Sequence, residues 1–416
     1  MKFNIFLTII FLLFLNKLQA QTEEELLEFF HSGTVTTASK TIKVPIEIWN
    51  NLILLKVKVN GSNATFVWDN GFSVSGIDNS LIQPYQFLSL GNATTISALD
   101  GNNVKVSVDY LVCPKIEIKG ITISNTPFIA FDSRTLTLTK KLKIDGVLGA
   151  SIINKLNWRF NFDKNYVEIS EMSFAIEPSN LVLPFYIKPY NNHIMNIAFN
   201  DIETECLVDF GLNSGEIEIN KVNAAHFSNA KASKLFGQST ISLSGIAPID
   251  TVYNIKDNFT WKLANKKLDF RPQISFSKYR QNVVLGNRIF RDRYNVVINT
   301  VSDTIYALSA RSQPNNDSSD KSHGYGVLAI DGKFRVVQIV PNSNTINNDI
   351  QLMDEVVSIN GKTPNDFEDN YSLIVYQKKL RLNQKIMVLK LANGKEISII
   401  PQPNIEFQFK NEKELW

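Results

Sequence analysis

The sequence predicts a mainly β protein in which one strand-rich unit occurs twice and a smaller module follows. Three observations predict this. Short runs of alternating apolar and polar residues dominate up to about residue 309. A set of features recurs some 140 residues further on. The polar stretch 311–322, running Arg311-Ser312-Gln313-Pro314-Asn315-Asn316-Asp317 and on through serines, separates a last compact segment from the rest.

Residues 1–20 have a positive start at Lys2, an apolar run to Leu15 and the end Leu18-Gln19-Ala20. That is the pattern of a leader cut before Gln21. The run is shorter than the roughly 20 apolar residues of a membrane-spanning helix. The expectation is therefore an exported chain, periplasmic or secreted, with no transmembrane anchor once the leader is removed. The 416 residues carry 43 Lys+Arg against 40 Asp+Glu, and two of the lysines, Lys2 and Lys17, fall in the leader. Without a basic surplus or stripe, nucleic acid is excluded as a partner. Four separated histidines, two cysteines and no C-x-x-C or H-E-x-x-H exclude a metal site built from them, and no cofactor motif is present. Cys113 and Cys206 are read as buried strand residues, with a disulfide between them left open.

The first unit spans 21–177 and opens with a short helix, Glu23 to Phe30. Lys56-Val57-Lys58-Val59 alternates into Asn60-Gly61, a hairpin signal, and Thr65-Phe66-Val67-Trp68 resumes the strand. The second unit spans 178–310. Pro45 and Pro184, Asn50 and Asn191, and Asp69 and Asp209 stand 139, 141 and 140 residues apart. Thr95-Ile96-Ser97 before Asp100-Gly101 has its counterpart in Thr240-Ile241-Ser242 before Ser244-Gly245. Val147-Leu148-Gly149 has its counterpart in Val284-Leu285-Gly286. The linker 311–322 leads to a module at 323–403. A tail, 404–416, carries Phe407, Phe409 and Trp416, which can dock on the body.

Each unit thus delivers an aspartate at the end of an apolar strand and turns at a glycine two residues on. Asp-x-Gly is first of all a turn signal. The shared context is what lifts Asp69 and Asp209 above Asp100, Asp145 and Asp331. Two such carboxylates meeting across a twofold axis share one proton, so one can activate water while the other polarises a carbonyl. No G-x-S-x-G nucleophile elbow is present.

The doubled Asp-x-Gly and apolar-Leu-Gly pattern resembles the retropepsin-like and pepsin-like aspartic peptidases, fused as two lobes in one chain. The resemblance rests on Val67-Trp68-Asp69-Asn70-Gly71-Phe72-Ser73 and on Ile144-Asp145-Gly146-Val147-Leu148-Gly149. It implies that Asp69 and Asp209 are catalytic, that Asn70, Gly71, Ser73, Phe210, Gly211 and Asn213 support them, and that Leu99, Asp100 and Gly101 tip a flap. The family places a hydroxyl residue after each aspartate and a serine two past each glycine. Asn70 and Phe210 replace the hydroxyls, and Asn213 replaces the second serine.

The module at 323–403 resembles a PDZ domain. Gly324-Tyr325-Gly326-Val327 stands for its carboxylate-binding loop, and Met353-Asp354 through Ile359-Asn360-Gly361 for its second motif. The resemblance implies capture of a polypeptide or its C-terminus at Gly324, Tyr325, Gly326 and Val327, or a groove filled by the chain itself. Two readings of function follow: an exported aspartic endopeptidase with a polypeptide-binding PDZ module, or a peptide-binding protein that keeps the fold without turnover. A scaffold acting through the PDZ module alone is a third.

Overall fold

The computed structural model describes residues 23–37, 41–92, 98–100, 104–133, 142–213, 215–227, 229–238, 241–242, 245–246, 248–277, 280–314 and 321–409. The expected leader, the middle of the expected linker and the end of the tail lie outside these residues. Among the described residues no helix is long and apolar enough to cross a membrane.

The protein is mainly β, as predicted. In the first half, Leu52–Val59 and Ser62–Trp68 pair antiparallel around Asn60-Gly61, both at positive φ as a two-residue hairpin turn requires. Gly146–Leu148 then runs parallel to Ser62–Trp68, placing Leu148 beside Trp68. Ser75–Asp78 and Ile121–Phe131 extend the sheet on that side, while Asp109–Ile118 and Leu88–Asn92 extend it on the other. The same strand order recurs in the second half. His193–Phe199 pairs with Ile202–Asp209, Val283–Gly286 runs parallel to the latter with Gly286 beside Asp209, and Ile217–Ile219 and Ile274–Phe276 follow. In both halves an aspartate therefore stands at the end of a central strand, next to the strand that ends in Leu-Gly.

A separate six-stranded sheet joins the halves. At its centre Asn157–Asn161 from the first half pairs with Tyr294–Asn299 from the second. One hydrophobic core runs continuously under the seam, with Trp68, Trp158, Phe160, Phe210, Phe290 and Tyr306 all fully buried. The N-terminal helix Glu23–His31 packs Leu26 and Phe30 against Tyr110 and Val74. Cys113 and Cys206 lie buried on strands of different halves, and both are free thiols. The disulfide left open by the sequence is not formed.

The C-terminal module has its own core, built on Phe334, Val336, Ile359, Leu373, Met387 and Leu389. Its helix Asn370–Leu382 starts at Asp369, whose carboxylate accepts the Ser372 N–H at 2.8 Å. The module is docked on the body at two places. Strand Lys333–Ile339 pairs with strand Lys231–Gly237 of the second half, and Tyr371 packs on Trp49 of the first with ring centroids 4.7 Å apart. The tail docks too: Glu406–Gln408 pairs with the other end of Lys231–Gly237, and Phe409 is buried.

Gly237 makes the strand docking feasible. Its φ is +134°, and a Cβ there would lie 2.1 Å from the Val337 carbonyl oxygen. Gly237→Ala is expected to break this pairing at a cost above about 1 kcal/mol. Limited proteolysis checks it: cleavage between 311 and 322 should speed up, whereas unchanged nicking would show that this contact does not hold the module.

Candidate active site

Asp69 and Asp209 are brought to one point from opposite halves. Asp69 is anchored from below by its own N–H donating to Leu148 O at 3.0 Å. Each carboxylate then accepts the N–H of the glycine two residues on, Gly71 to Asp69 Oδ1 at 2.9 Å and Gly211 to Asp209 Oδ1 at 2.8 Å. Leu212 gives Asp209 Oδ1 a further N–H at 3.0 Å.

Across the seam the packing is reciprocal. A Cβ on Gly71 would lie 2.3 Å from Asp209 Cγ, and one on Gly211 would lie 2.2 Å from Asp69 Oδ2. Each carboxyl occupies the space that a side chain on the other half's glycine would need. The two carboxyls are hydrogen-bonded to each other.

Burial and the charge of Asp209 push the Asp69 pKa well above its ordinary value, and the hydrogen bond from Asp69 to Asp209 adds to this. Burial also raises Asp209, but the Leu212 N–H, the Arg280 guanidinium, the Gly211 N–H and the Asp69 hydrogen bond all oppose it. Both are raised, so the pair keeps one shared proton, and Leu212, Arg280 and Gly211 favour charge on the Asp209 side. Two like charges in a desolvated site leave no cheaper distribution.

The residues after the aspartates do different work. Asn70 is fully buried, and its Oδ1 accepts the Phe210 N–H at 2.9 Å, reaching across the seam. Its Nδ2 donates to Tyr306 Oη at 3.1 Å. Phe210 offers only its ring, which stacks on Phe290 at 5.4 Å and meets the edge of Trp68 at 5.1 Å. The floor below the aspartates is thus aromatic and dry on one side, amide-bonded on the other.

Ser73 does not play its expected part. Its Oγ is engaged by Asn192 Nδ2 at 3.2 Å, while Asp69 is served by Gly71, Phe72 and Asp209. Asn213 donates to Asn50 O at 2.8 Å and its own carbonyl accepts Asn51 Nδ2 at 2.9 Å. The other half mirrors this, with Asn191 Nδ2 donating to Ser73 O at 3.4 Å. Asn51 and Asn191 adopt the same left-handed backbone, φ +67° and +68°. The hairpin turns thus match at 51 and 191, one residue from the register the sequence suggested. Each turn braces the opposite aspartate loop.

Around the flap position, Ala98–Leu99 pairs with Lys105–Val106, and Asp100, buried, accepts the Val104 N–H at 2.9 Å. Gly101 and the side chain of Leu99 lie outside the described residues. In the second half Ile241–Ser242 pairs with Gly245–Ile246. Arg280 had no signal in the sequence. It approaches Asp209 closely enough to lower its pKa, and it is ion-paired with Glu218.

At the C-terminal module, Gly324-Tyr325-Gly326-Val327 opens the strand Tyr325–Ile330, which pairs on one side with Lys333–Ile339. Its other edge is already bonded by the module's own helix. Gln377 Oε1 accepts the Val327 N–H at 3.1 Å and Gln377 Nε2 donates to Val327 O at 2.8 Å. Asn370 does the same for Ala329, at 2.6 and 2.9 Å. Tyr325 is buried, and Asn342 and Thr345 cover Gly324. That strand edge is therefore bonded by the module's own helix, while the tail strand Glu406–Gln408 pairs with Lys231–Gly237 instead. Among the described residues no cluster of His, Cys, Asp or Glu could hold a metal ion.

Residues 55–152 match the family described as Aspartyl protease, a stretch that holds Asp69, Gly71 and Leu148-Gly149. No curated protein matches the chain in sequence. Many solved structures are similar, among them two that differ in extent. A retropepsin-like aspartic protease from Rickettsia conorii shares 14% identity over 33% of this chain and 92% of its own, with a TM-score of 0.21. Basic 7S globulin from soybean shares 8% identity over 66% of this chain and 95% of its own, with a TM-score of 0.35.

Two outcomes are expected. The folded pKa of Asp69 lies above the unfolded value of 3.8, so the folded state binds more protons there. Stability from this group is full below about pH 3.8 and falls as pH rises toward the folded value, by about 1.4 kcal/mol per pH unit. Asp69→Asn removes that loss. Thermal melts should show the variant more stable than wild type at pH 7, with the gap closing toward pH 3; a gap that is constant with pH contradicts the assignment. Separately, Gln377→Ala should speed amide exchange at Val327 by roughly tenfold, the worth of one hydrogen bond.

Proposed function

We propose that the chain is an exported aspartic endopeptidase made of two duplicated lobes, 21–177 and 178–310, with a PDZ-like module at 323–403. One observation carries the reading: each carboxyl lies against the bare glycine of the opposite half while bonded to the other carboxyl.

The chemistry follows from the proton's place. Asp209, charged and held by two backbone N–H groups, takes a proton from water as that water attacks the peptide carbonyl carbon. Asp69 gives its proton to the carbonyl oxygen, and a neutral tetrahedral diol forms. Asp209, now protonated, passes its proton to the amide nitrogen, the C–N bond breaks, and Asp69 recovers a proton from the collapsing diol. Neither metal nor covalent intermediate is needed. The hairpin through Asp100 is the flap in this reading. With no hydroxyl at Phe210, a single side chain after the aspartates, Asn70, accepts a backbone N–H across the seam, where the family has a reciprocal pair.

The alternative, a peptide-binding protein without turnover, rests on that missing hydroxyl. The module at 323–403 takes an extended polypeptide on Tyr325–Ile330 when Gln377 and Asn370 give up their bonds to it.

Full-chain protein incubated with an unfolded polypeptide between pH 3 and 8 tests the enzyme reading. Cleavage should be strongest at acid pH and fall as Asp69 loses its proton. Asp69→Asn and Asp209→Asn should each lower the rate by roughly 10³-fold or more. Inertness of the wild type at every pH, or variants that cleave as well as wild type, would reject it in favour of binding alone.

A further inference from the structure

We infer that His193 and Tyr306 are positioning residues of the aspartate pair, holding the Asn70 amide in the one orientation that ties the two halves together beneath it. The inference rests on the peptidase reading above for its consequence in rate, but not for its geometry.

A carboxamide presents a donor and an acceptor of nearly equal shape, so a buried asparagine faces correctly only if its surroundings distinguish them. Asn70 must present Oδ1 to the Phe210 N–H. Turned over, its Nδ2 would confront that N–H donor to donor and leave Phe210 unpaired in a dry core, at full desolvation cost.

The correct orientation is set by a chain of hydrogen bonds with a fixed direction. Its far end is the Asn191 carbonyl, which only accepts, so Asn154 must give it Nδ2, at 2.9 Å. Asn154 Oδ1 is then an acceptor and requires a proton on His193 Nε2, 2.6 Å away. Burial depresses the His193 pKa to about 3, so the ring is neutral and Nδ1 is bare. Tyr306 Oη lies 2.7 Å from Nδ1 and donates to it. That leaves the Tyr306 oxygen as acceptor for Asn70 Nδ2 at 3.1 Å, and Asn70 Oδ1 is turned to Phe210. The longer approach of Asn70 Nδ2 to His193 Nδ1, at 3.3 Å, adds little because Tyr306 already uses that lone pair.

A backbone donor closes one end of this chain and a backbone acceptor the other, so each link has only one proton arrangement. It passes through Asn70 and Asn154 of the first half and His193 and Asn191 of the second. It starts beside Asp209 and ends at Asn191, whose Nδ2 reaches Ser73 O in the loop after Asp69. Phe185 packs on both rings, 4.4 Å from His193 and 5.1 Å from Tyr306, and holds them in place without a competing polar group.

The chain can be tested apart from catalysis. Nitrogen-15 spectra of the wild-type full chain at pH 6 should show His193 neutral with its proton on Nε2. A proton on Nδ1, or a charged ring, would overturn the inference. Tyr306→Phe keeps the ring and removes the link. Carbon-13 titration of the Asp69 and Asp209 carboxyls should then show the raised pKa falling toward the ordinary carboxylate range, and kcat should drop roughly 10–100-fold with KM little changed. Titration as in wild type would overturn the inference, whatever the melting temperature. If the full chain cleaves nothing, the peptidase reading fails, while the tautomer and the titration still decide this one.

Discussion

Everything at the seam depends on two carboxyls sharing a space too small for either half to close alone. Gly71 and Gly211 are each bare where the opposite aspartate arrives, so neither loop can move toward the seam without meeting the other's carboxyl. Such a contact is costly: it desolvates two acids at once, and only a shared proton makes it tolerable. The cost is met elsewhere. A six-stranded sheet fuses the halves below, and the aromatic floor of Trp68, Phe160, Phe210, Phe290 and Tyr306 supplies dense burial directly under the strained point.

The two halves have settled this cost differently. Asn70 is polar, and its amide spans the seam. Phe210 is apolar and is part of the floor. These two residues fit together. An aromatic ring at 210 leaves its own backbone N–H without a side-chain partner of its half, and the amide oxygen at 70 is what takes that N–H. Replacing Asn70 with an apolar residue would leave the buried Phe210 N–H unmatched. The proton assignment is lopsided for a related reason. Leu212 and Arg280 favour charge on Asp209, whereas the charge of Asp209 raises Asp69.

The sequence made the local part of this legible. Asp69, Gly71, Asp209 and Gly211 lie within three residues of one another in each half, and a strand ending in Asp-x-Gly has a conformational meaning that needs no partner. The strands Gly146–Leu148 and Val283–Gly286 were visible for the same reason. His193, Tyr306 and Asn154 were not. His193 read as one of four scattered histidines, and its partners are 39 and 113 positions away. The Asn-Asn turns were visible as a repeat, but their work was not, because Asn51 and Asn191 act on the opposite half. Ser73 misled for the converse reason: a residue type that fits the local motif was claimed by Asn192, which only the fold brings near.

The C-terminal module raises a question of energetics rather than recognition. Gln377 and Asn370 hold both groups of Val327 and of Ala329, so four hydrogen bonds already satisfy the strand edge. An incoming peptide would trade these bonds for its own and gain little from the backbone, so affinity has to come from side-chain burial. Asn370 is followed by Tyr371, whose ring rests on Trp49, and Trp49 precedes the Asn50-Asn51 turn that bonds Asn213 beside Asp209. The opposite flank of the module is paired with the strand Lys231–Gly237, at the base of the second-half hairpin. The module thus touches both halves, and its helix carries one of those contacts. Whatever displaces Asn370 from the strand edge acts on the adjoining Tyr371 and its contact with Trp49 as well.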